Sequence, residues 1–275
     1  LDEAALEAKR DALVRILEDC ESVCIGYSGG VDSVFLAMMA LEVLGPSRVL
    51  AVTGRSASYP AVQHERALEQ ARELDLPHIE LRTHELADPD YVANAPTRCY
   101  FCKDELWSRL GRVARERGLR TVVDGSNADD AADHRPGARA AREHGVRSPL
   151  QEAGLTKAEI REWSRRARLA TWDEPASPCL ASRLAYGITV TPARLAQVER
   201  AEASLRRRGI REFRVRHHGD VARVEVAPGE MDAAAAAVLA EVPYLRSLGF
   251  GRILLDVEGY RRGALNEGLV QLTTG

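Results

Sequence analysis

The chain has 275 residues, 45% hydrophobic and 29% charged, enough to bury one large core or to divide into two. A net charge of -3 gives no global pull toward nucleic acid, and no apolar run approaches the roughly 20 residues that cross a bilayer. The composition therefore speaks against a nucleic-acid or membrane partner and for a cytoplasmic protein, read here as two domains, 1–188 and 189–275.

In chain order, Leu1 to Asp19 reads as an amphipathic charged helix rather than a signal peptide, with Leu6, Leu13, Val14 and Leu17 at helical spacing. Cys20 and Cys24 flank and enter the first strand, Val23 to Tyr27, where a small thiol suits an interior, so both read as structural. That strand passes into a helix, Val34 to Leu44, through Ser28-Gly29-Gly30-Val31-Asp32-Ser33. Two glycines let an anion approach the backbone, and the N–H groups and positive dipole end of the next helix face it. Ser28 and Ser33 offer hydroxyl donors, and Asp32 offers a carboxylate for Mg²⁺ or for positioning a ligand. The Walker lysine is missing, which suits pyrophosphate better than γ-phosphoryl transfer. A tight turn that merely uses glycine is the bland alternative.

Arg48 to Thr53 reads as a second strand, Pro60 to Leu74 as a helix and His78 to Thr83 as a third strand. This alternation implies a doubly wound parallel sheet, an α/β fold, and places Thr53, Gly54 and Arg55 near an adenine and ribose. Cys99-Tyr100-Phe101-Cys102-Lys103 opens a further helix. Such a C-x-x-C has three open readings: a redox pair, half a zinc site, or two ligands of an iron–sulfur cluster. A fourth strand, Arg120 to Gly125, ends in Ser126, Asn127, Asp129 and Asp130, which border the same crevice. Ser126 and Asn127 are candidates for phosphate and the two aspartates for Mg²⁺, with solvated capping as the equal alternative. His134 to Arg147, rich in arginine and poor in apolar residues, is expected to be an exposed or mobile loop. Thr156 and Glu159 form a capping box before a helix over Lys157 to Arg168.

In Glu174-Pro175-Ala176-Ser177-Pro178-Cys179-Leu180-Ala181-Ser182-Arg183, prolines brace a short loop, and Arg183 is spaced to stabilise a Cys179 thiolate. Beyond Thr189 a smaller α+β unit is expected: a helix over Pro192 to Arg208, two strands around His218-Gly219-Asp220, a helix over Met231 to Leu248 and a last strand over Arg252 to Val257. The strand period puts Arg214 and Arg216 on one face as a phosphate or carboxylate site, with a solvated face as the alternative. Glu202 and Glu225 are candidates to orient them or to contact substrate.

Ser-Gly-Gly-Val-Asp-Ser after a first strand resembles the PP-loop of ATP pyrophosphatases, which adenylylate a substrate oxygen and release pyrophosphate. Taken in order with Arg-Cys-Tyr-Phe-Cys-Lys, Asp-Gly-Ser-Asn-Ala-Asp-Asp and Pro-Cys-Leu-Ala-Ser-Arg, it resembles the LarE family over residues 10 to 265. These are the ATP-dependent sulfur transferases that mature the nickel-pincer nucleotide of lactate racemase. The resemblance implies ATP with Mg²⁺ and a small nucleotide substrate, pyridinium-3,5-dicarboxylate mononucleotide, whose carboxylate is adenylylated and then thiolated. It also implies a homo-oligomer. Cys99, Cys102 and Cys179 would hold a [4Fe–4S] cluster carrying the donor sulfide, and the alternative is that Cys179 gives up its own sulfur. A tRNA thiolase, an amidotransferase-type synthetase and a nucleotide-binding regulatory domain are the competing readings.

Overall fold

The computed structural model describes residues 2–132, 136–175 and 177–261. The chain divides into two compact units, Leu1–Glu85 with Thr97–Ser177, and Leu86–Pro96 with Pro178–Gly275. The first unit runs α1 (Glu3–Cys20), β1 (Val23–Gly26), α2 (Val31–Leu44), β2 (Val49–Arg55), α3 (Ala61–Glu73) and β3 (His78–Arg82). After α4 (Pro89–Val92), which belongs to the second unit, it resumes with α5 (Arg98–Glu116), β4 (Thr121–Val123), α6 (Pro136–Glu143), α7 (Pro149–Glu152) and α8 (Lys157–Arg166).

The four strands form one parallel sheet in the order β3-β2-β1-β4, the doubly wound α/β arrangement that the alternation of elements implies. Successive side chains on a strand point to opposite faces. Val23 and Ile25 accordingly join Leu13, Leu17, Phe35, Ala67 and Ile160 in one core, while Cys24 joins Leu50, Val52, Trp107 and Leu110 in another. Helices cover both faces, and each fully buried Leu, Ile or Phe contributes about 1.5–3 kcal/mol. Burial pushes the Cys24 thiol up to about 12 and raises that of Cys20, so both are inert packing groups, as read from their setting.

One expectation fails. His134 to Arg147 is not a loop throughout, for Pro136–Glu143 is helical and buries Ala140 and Ala141 in the core that contains Trp107 and Leu110 of α5. Two alanines leave a helix face narrow enough for close approach, a signal that the surrounding arginines masked. His134, Arg135 and Ala176 lie outside the described residues.

The second unit contains α4, α9 (Pro192–Arg207), β5 (Phe213–His218), β6 (Val221–Val226), α10 (Met231–Ser247) and β7 (Arg252–Leu255). β5 and β6 are an antiparallel hairpin turned at Gly219, whose φ of 70° favours glycine, and β7 lies parallel to β6. Ala201, Leu205, Ala234, Val238 and Leu245 of the two long helices pack on Val215 and Val224 of the sheet. Asn94 ties the short segment to this unit, its buried amide donating to the carbonyls of Ala185 (2.8 Å) and Ile188 (2.9 Å). Among the described residues no helix is long and apolar enough to cross a membrane.

Candidate functional site

The glycine-rich loop joins the carboxyl end of β1 to the start of α2. Gly30 is the N-cap of α2 and provides no side-chain cap, so the orphan N–H groups of the first turn are left to solvent or to an anion. Gly29 sits at φ 66°, and a Cβ built there would lie 2.5 Å from that of Ala67, so no other residue fits without displacing α3. Gly125, at the end of β4, brings that strand against the cradle, since a Cβ on it would lie 3.1 Å from the Ser33 nitrogen.

The hydroxyls of the loop divide their work. Ser33 is buried, donates to the Gly30 carbonyl (3.0 Å) and accepts from the Ser28 N–H (3.3 Å), which braces the turn; Ser28 is exposed. Thr53 is buried as well, and its hydroxyl is taken up by the Tyr27 carbonyl (2.9 Å) and His78 Nε2 (2.8 Å). Any contact of Thr53 with a nucleotide would therefore come from its backbone.

Asp32 lies in the first turn of α2 and faces a group that sequence reasoning missed, Lys157, the first residue of α8, with Nζ 2.6 Å from Asp32 Oδ2. Asn127 Nδ2 lies 3.5 Å from the other carboxylate oxygen. Asp129 accepts from the Lys157 N–H (2.8 Å) and Asp130 from the Asn127 N–H (3.1 Å), so one aspartate braces the backbone at the lysine and the other that at Asn127. The Ser126 hydroxyl donates to Asp124 (3.0 Å). The loop, which has no lysine in its own sequence, thus has one beside it in space. Its one signal in the sequence was scarcity, because Lys157 is one of three lysines in a chain whose 38 Lys and Arg residues are otherwise arginine.

In the second unit Cys179 is half-buried and precedes a short helical turn, Leu180–Arg183. Its carbonyl accepts from the Ser182 hydroxyl (2.6 Å), the Ser182 N–H (3.0 Å) and Arg183 Nη1 (3.1 Å), and Arg183 also donates to the Pro178 carbonyl. Arg183 is 2% exposed and paired through two nitrogens with Glu202 (3.0 and 3.3 Å). It holds the loop that carries the thiol, through the backbone on either side of that residue. Breaking such a buried pair costs about 3–5 kcal/mol, so the loop is held firmly.

Arg214 and Arg216 are buried, which removes the solvated-face alternative. Arg216 donates to Glu225 (2.8 Å) and to the Ser182 carbonyl (3.0 Å), which ties β5 to the cysteine loop. Arg214 donates to the Phe213 carbonyl (2.6 Å) and stacks 4.9 Å from the Tyr260 ring. Burial, with the like charge of Arg183 second, lowers its pKa. Glu225 also accepts from Arg223 (2.6 Å), and Glu202 from the Val215 N–H (3.2 Å). Cys179, Arg183, Glu202, Arg214, Arg216 and Glu225 thus converge.

Cys99 and Cys102 fall at the start of α5, in the first unit, three residues apart and so on one face. Cys99 is exposed, Cys102 is half-buried, and Arg98 Nη2 lies 3.7 Å from the Cys99 sulfur. Among the described residues no three His, Cys, Asp or Glu side chains are grouped to hold a metal.

Comparison with known proteins adds the following. The NAD synthase family model matches residues 8–102. An uncharacterised protein of Synechocystis is 42% identical over 268 residues, covering 97% of this chain and 100% of its own. The pyridinium-3,5-bisthiocarboxylic acid mononucleotide synthase of Lactiplantibacillus plantarum is 35% identical over 269 residues, covering 98% of this chain and 97% of its own. An uncharacterised protein of Methanocaldococcus jannaschii is 25% identical over 243 residues, 88% of this chain and 91% of its own.

Proposed function

Because the chain belongs to the LarE family, with a PP-loop domain like that of NAD synthase, we propose that it is an ATP-dependent sulfur transferase that adenylylates a carboxylate of pyridinium-3,5-dicarboxylate mononucleotide and converts it to a thiocarboxylate. The observation that carries this reading is the pairing of two constellations in one chain. One unit has an uncapped cradle with Asp32 and Lys157, and the other has a braced cysteine beside buried guanidinium groups.

The chemistry follows from the residues. A carboxylate is a poor acyl donor because oxide is a poor leaving group. Attack of its oxygen on the α-phosphorus of ATP releases pyrophosphate and leaves an acyl adenylate, from which AMP departs readily. The N–H groups of the cradle and the Lys157 ammonium would stabilise the developing charge on pyrophosphate, and Asp32 would hold Mg²⁺. Asp129 and Asp130 serve that arrangement as braces and as a second source of carboxylate. The second unit is the substrate-binding and oligomerisation domain in this reading. Arg214 and Arg216 grip the substrate phosphate, their burial strengthening a charge-assisted hydrogen bond, with Glu202 and Glu225 orienting the cluster. A homo-oligomer and a cytoplasmic location belong to the same proposal, carried by the family resemblance alone.

For the sulfur step the favoured reading is an iron–sulfur cluster, and it rests on which cysteines are accessible, since no three ligands are grouped among the described residues. Cys99, Cys102 and Cys179 are the three cysteines that reach solvent, whereas Cys20 and Cys24 are sealed in the cores. A [4Fe–4S] cluster held by these three would supply an exchangeable sulfide. The second reading rests on Cys179 standing in its own braced loop. Its thiolate displaces AMP to form a thioester, and β-elimination then releases the thiocarboxylate and leaves dehydroalanine.

The test is to incubate the chain with ATP, Mg²⁺ and the pyridinium dicarboxylate nucleotide, and to measure pyrophosphate and thiocarboxylate. Pyrophosphate release that requires the nucleotide, with Cys179→Ala retaining it but making no thiocarboxylate, supports the reading. Release that is indifferent to the nucleotide counts against it.

A further inference from the structure

A glycine loop that binds phosphate through its backbone has a weakness built in. Gly29 tolerates either sign of φ, so the Ser28–Gly29 peptide can turn over at little cost and carry its N–H away from the anion. In this chain that peptide is held from outside. The Tyr59 hydroxyl donates to the Ser28 carbonyl at 2.8 Å, and Gln63 Nε2 donates to the same oxygen at 3.1 Å. Across a trans peptide the carbonyl and the following N–H point in opposite directions. Fixing the Ser28 oxygen toward Tyr59 and Gln63 therefore aims the Gly29 N–H the other way, and that N–H takes no partner among the described residues.

The clamp is itself anchored. Tyr59 sits in the turn between β2 and α3, where its N–H closes on the Ser56 carbonyl (3.2 Å). The hydroxyls of Ser56 and Ser58 lie 2.8 Å apart, and Ser58 donates to the buried Glu85 carboxylate at 3.0 Å. Gln63 belongs to α3, the helix whose Ala67 closes on Gly29. Burial raises the Tyr59 phenol well above its ordinary value, so it stays a donor throughout the neutral range.

We propose that Tyr59 and Gln63 are positioning residues that lock the Ser28–Gly29 peptide with its N–H turned into the cradle, and so set the hold on the pyrophosphate end of the nucleotide. This rests on the cradle being the nucleotide-phosphate site. The two donors share one acceptor, so losing either loosens the peptide and losing both frees it.

The test uses Tyr59→Phe, Gln63→Met and the double variant of the full chain. The probe is inorganic pyrophosphate with Mg²⁺, followed by calorimetry and by the ¹⁵N–¹H resonance of Gly29. Each single variant is expected to weaken pyrophosphate about threefold and the double variant by more than the product, beyond about tenfold. The Gly29 resonance should shift on adding pyrophosphate to the parent and fail to shift in the double variant, while binding of the pyridinium nucleotide is unchanged. A double variant that binds as tightly as the parent, with Gly29 still responding, overturns the clamp and leaves the cradle standing. Equal weakening of pyrophosphate and pyridinium nucleotide also overturns it, since that marks general damage. A parent that does not bind pyrophosphate overturns the cradle reading and the clamp together. If the double variant does not fold, Tyr59→Phe, which removes one oxygen, decides by the same two readouts.

Discussion

Lys157 Nζ lies 2.6 Å from Asp32 Oδ2, joining the first residue of α8 to the first turn of α2 across 125 residues of sequence. The pair places a positive and a negative group at the mouth of a cradle whose own donors are backbone N–H groups. A metal ion bound at Asp32 would free the ammonium for the phosphate beside it, so the two residues should act in one step.

Lys157→Ala is therefore expected to lower the rate of pyrophosphate release about 10²–10³-fold, as losing one preorganised donor does. Asp32→Asn should fall into the same range, and the double variant should lose less than the product of the two. Single-turnover pyrophosphate release checks this, and strictly multiplicative losses would show that the pair is not a functional unit.

The cysteines allow a second test. Protein made and handled without oxygen is expected to be brown, to hold about four iron and four sulfide per chain, and to make several thiocarboxylates when sulfide is supplied. Cys99→Ala and Cys102→Ala should each lose the iron and the repeated turnover. Colourless protein that stops after one product, with Cys179 lighter by the mass of hydrogen sulfide, would assign the sacrificial step instead.

His217 carries a pH dependence. The ring is buried, accepts from the Gly219 N–H at Nδ1 (3.2 Å) and donates from Nε2 to Gln197 (2.9 Å), an arrangement that only the neutral ring satisfies. Burial, and then the charge of Arg194, lowers its pKa below the ordinary 6.5. The unfolded chain then binds the proton more readily, so this contribution to stability is complete above about 6.5 and is lost as pH falls through the lowered value. Denaturation midpoints between pH 7.5 and 5 should fall more steeply in the parent than in His217→Phe; parallel curves would remove His217 from the acid response.

Much of this was legible because the signals were local. The step from apolar β1 to α2 through two glycines, the period of two that set Arg214 beside Arg216, and the capping box at Thr156 each lie within a few residues. What escaped was set by contacts distant in sequence. Nothing around Lys157 says that its helix begins at Asp32, and nothing around Tyr59 says that its hydroxyl reaches Ser28. The spacing of Arg183 from Cys179 says nothing of Glu202, which its guanidinium grips together with the neighbouring carbonyls. In α6, arginines at Arg139 and Arg142 outweighed the two alanines that decide the packing.

The most direct test of sulfur transfer through an adenylylated carboxylate is to label both carboxylates of the pyridinium nucleotide with ¹⁸O and weigh the AMP. Attack of a carboxylate oxygen on the α-phosphorus leaves that oxygen on the phosphate when sulfur displaces AMP. The expected result is one labelled oxygen in each AMP formed, matched to thiocarboxylate and pyrophosphate in equal amounts. Unlabelled AMP, or ADP and phosphate in place of AMP and pyrophosphate, would contradict it.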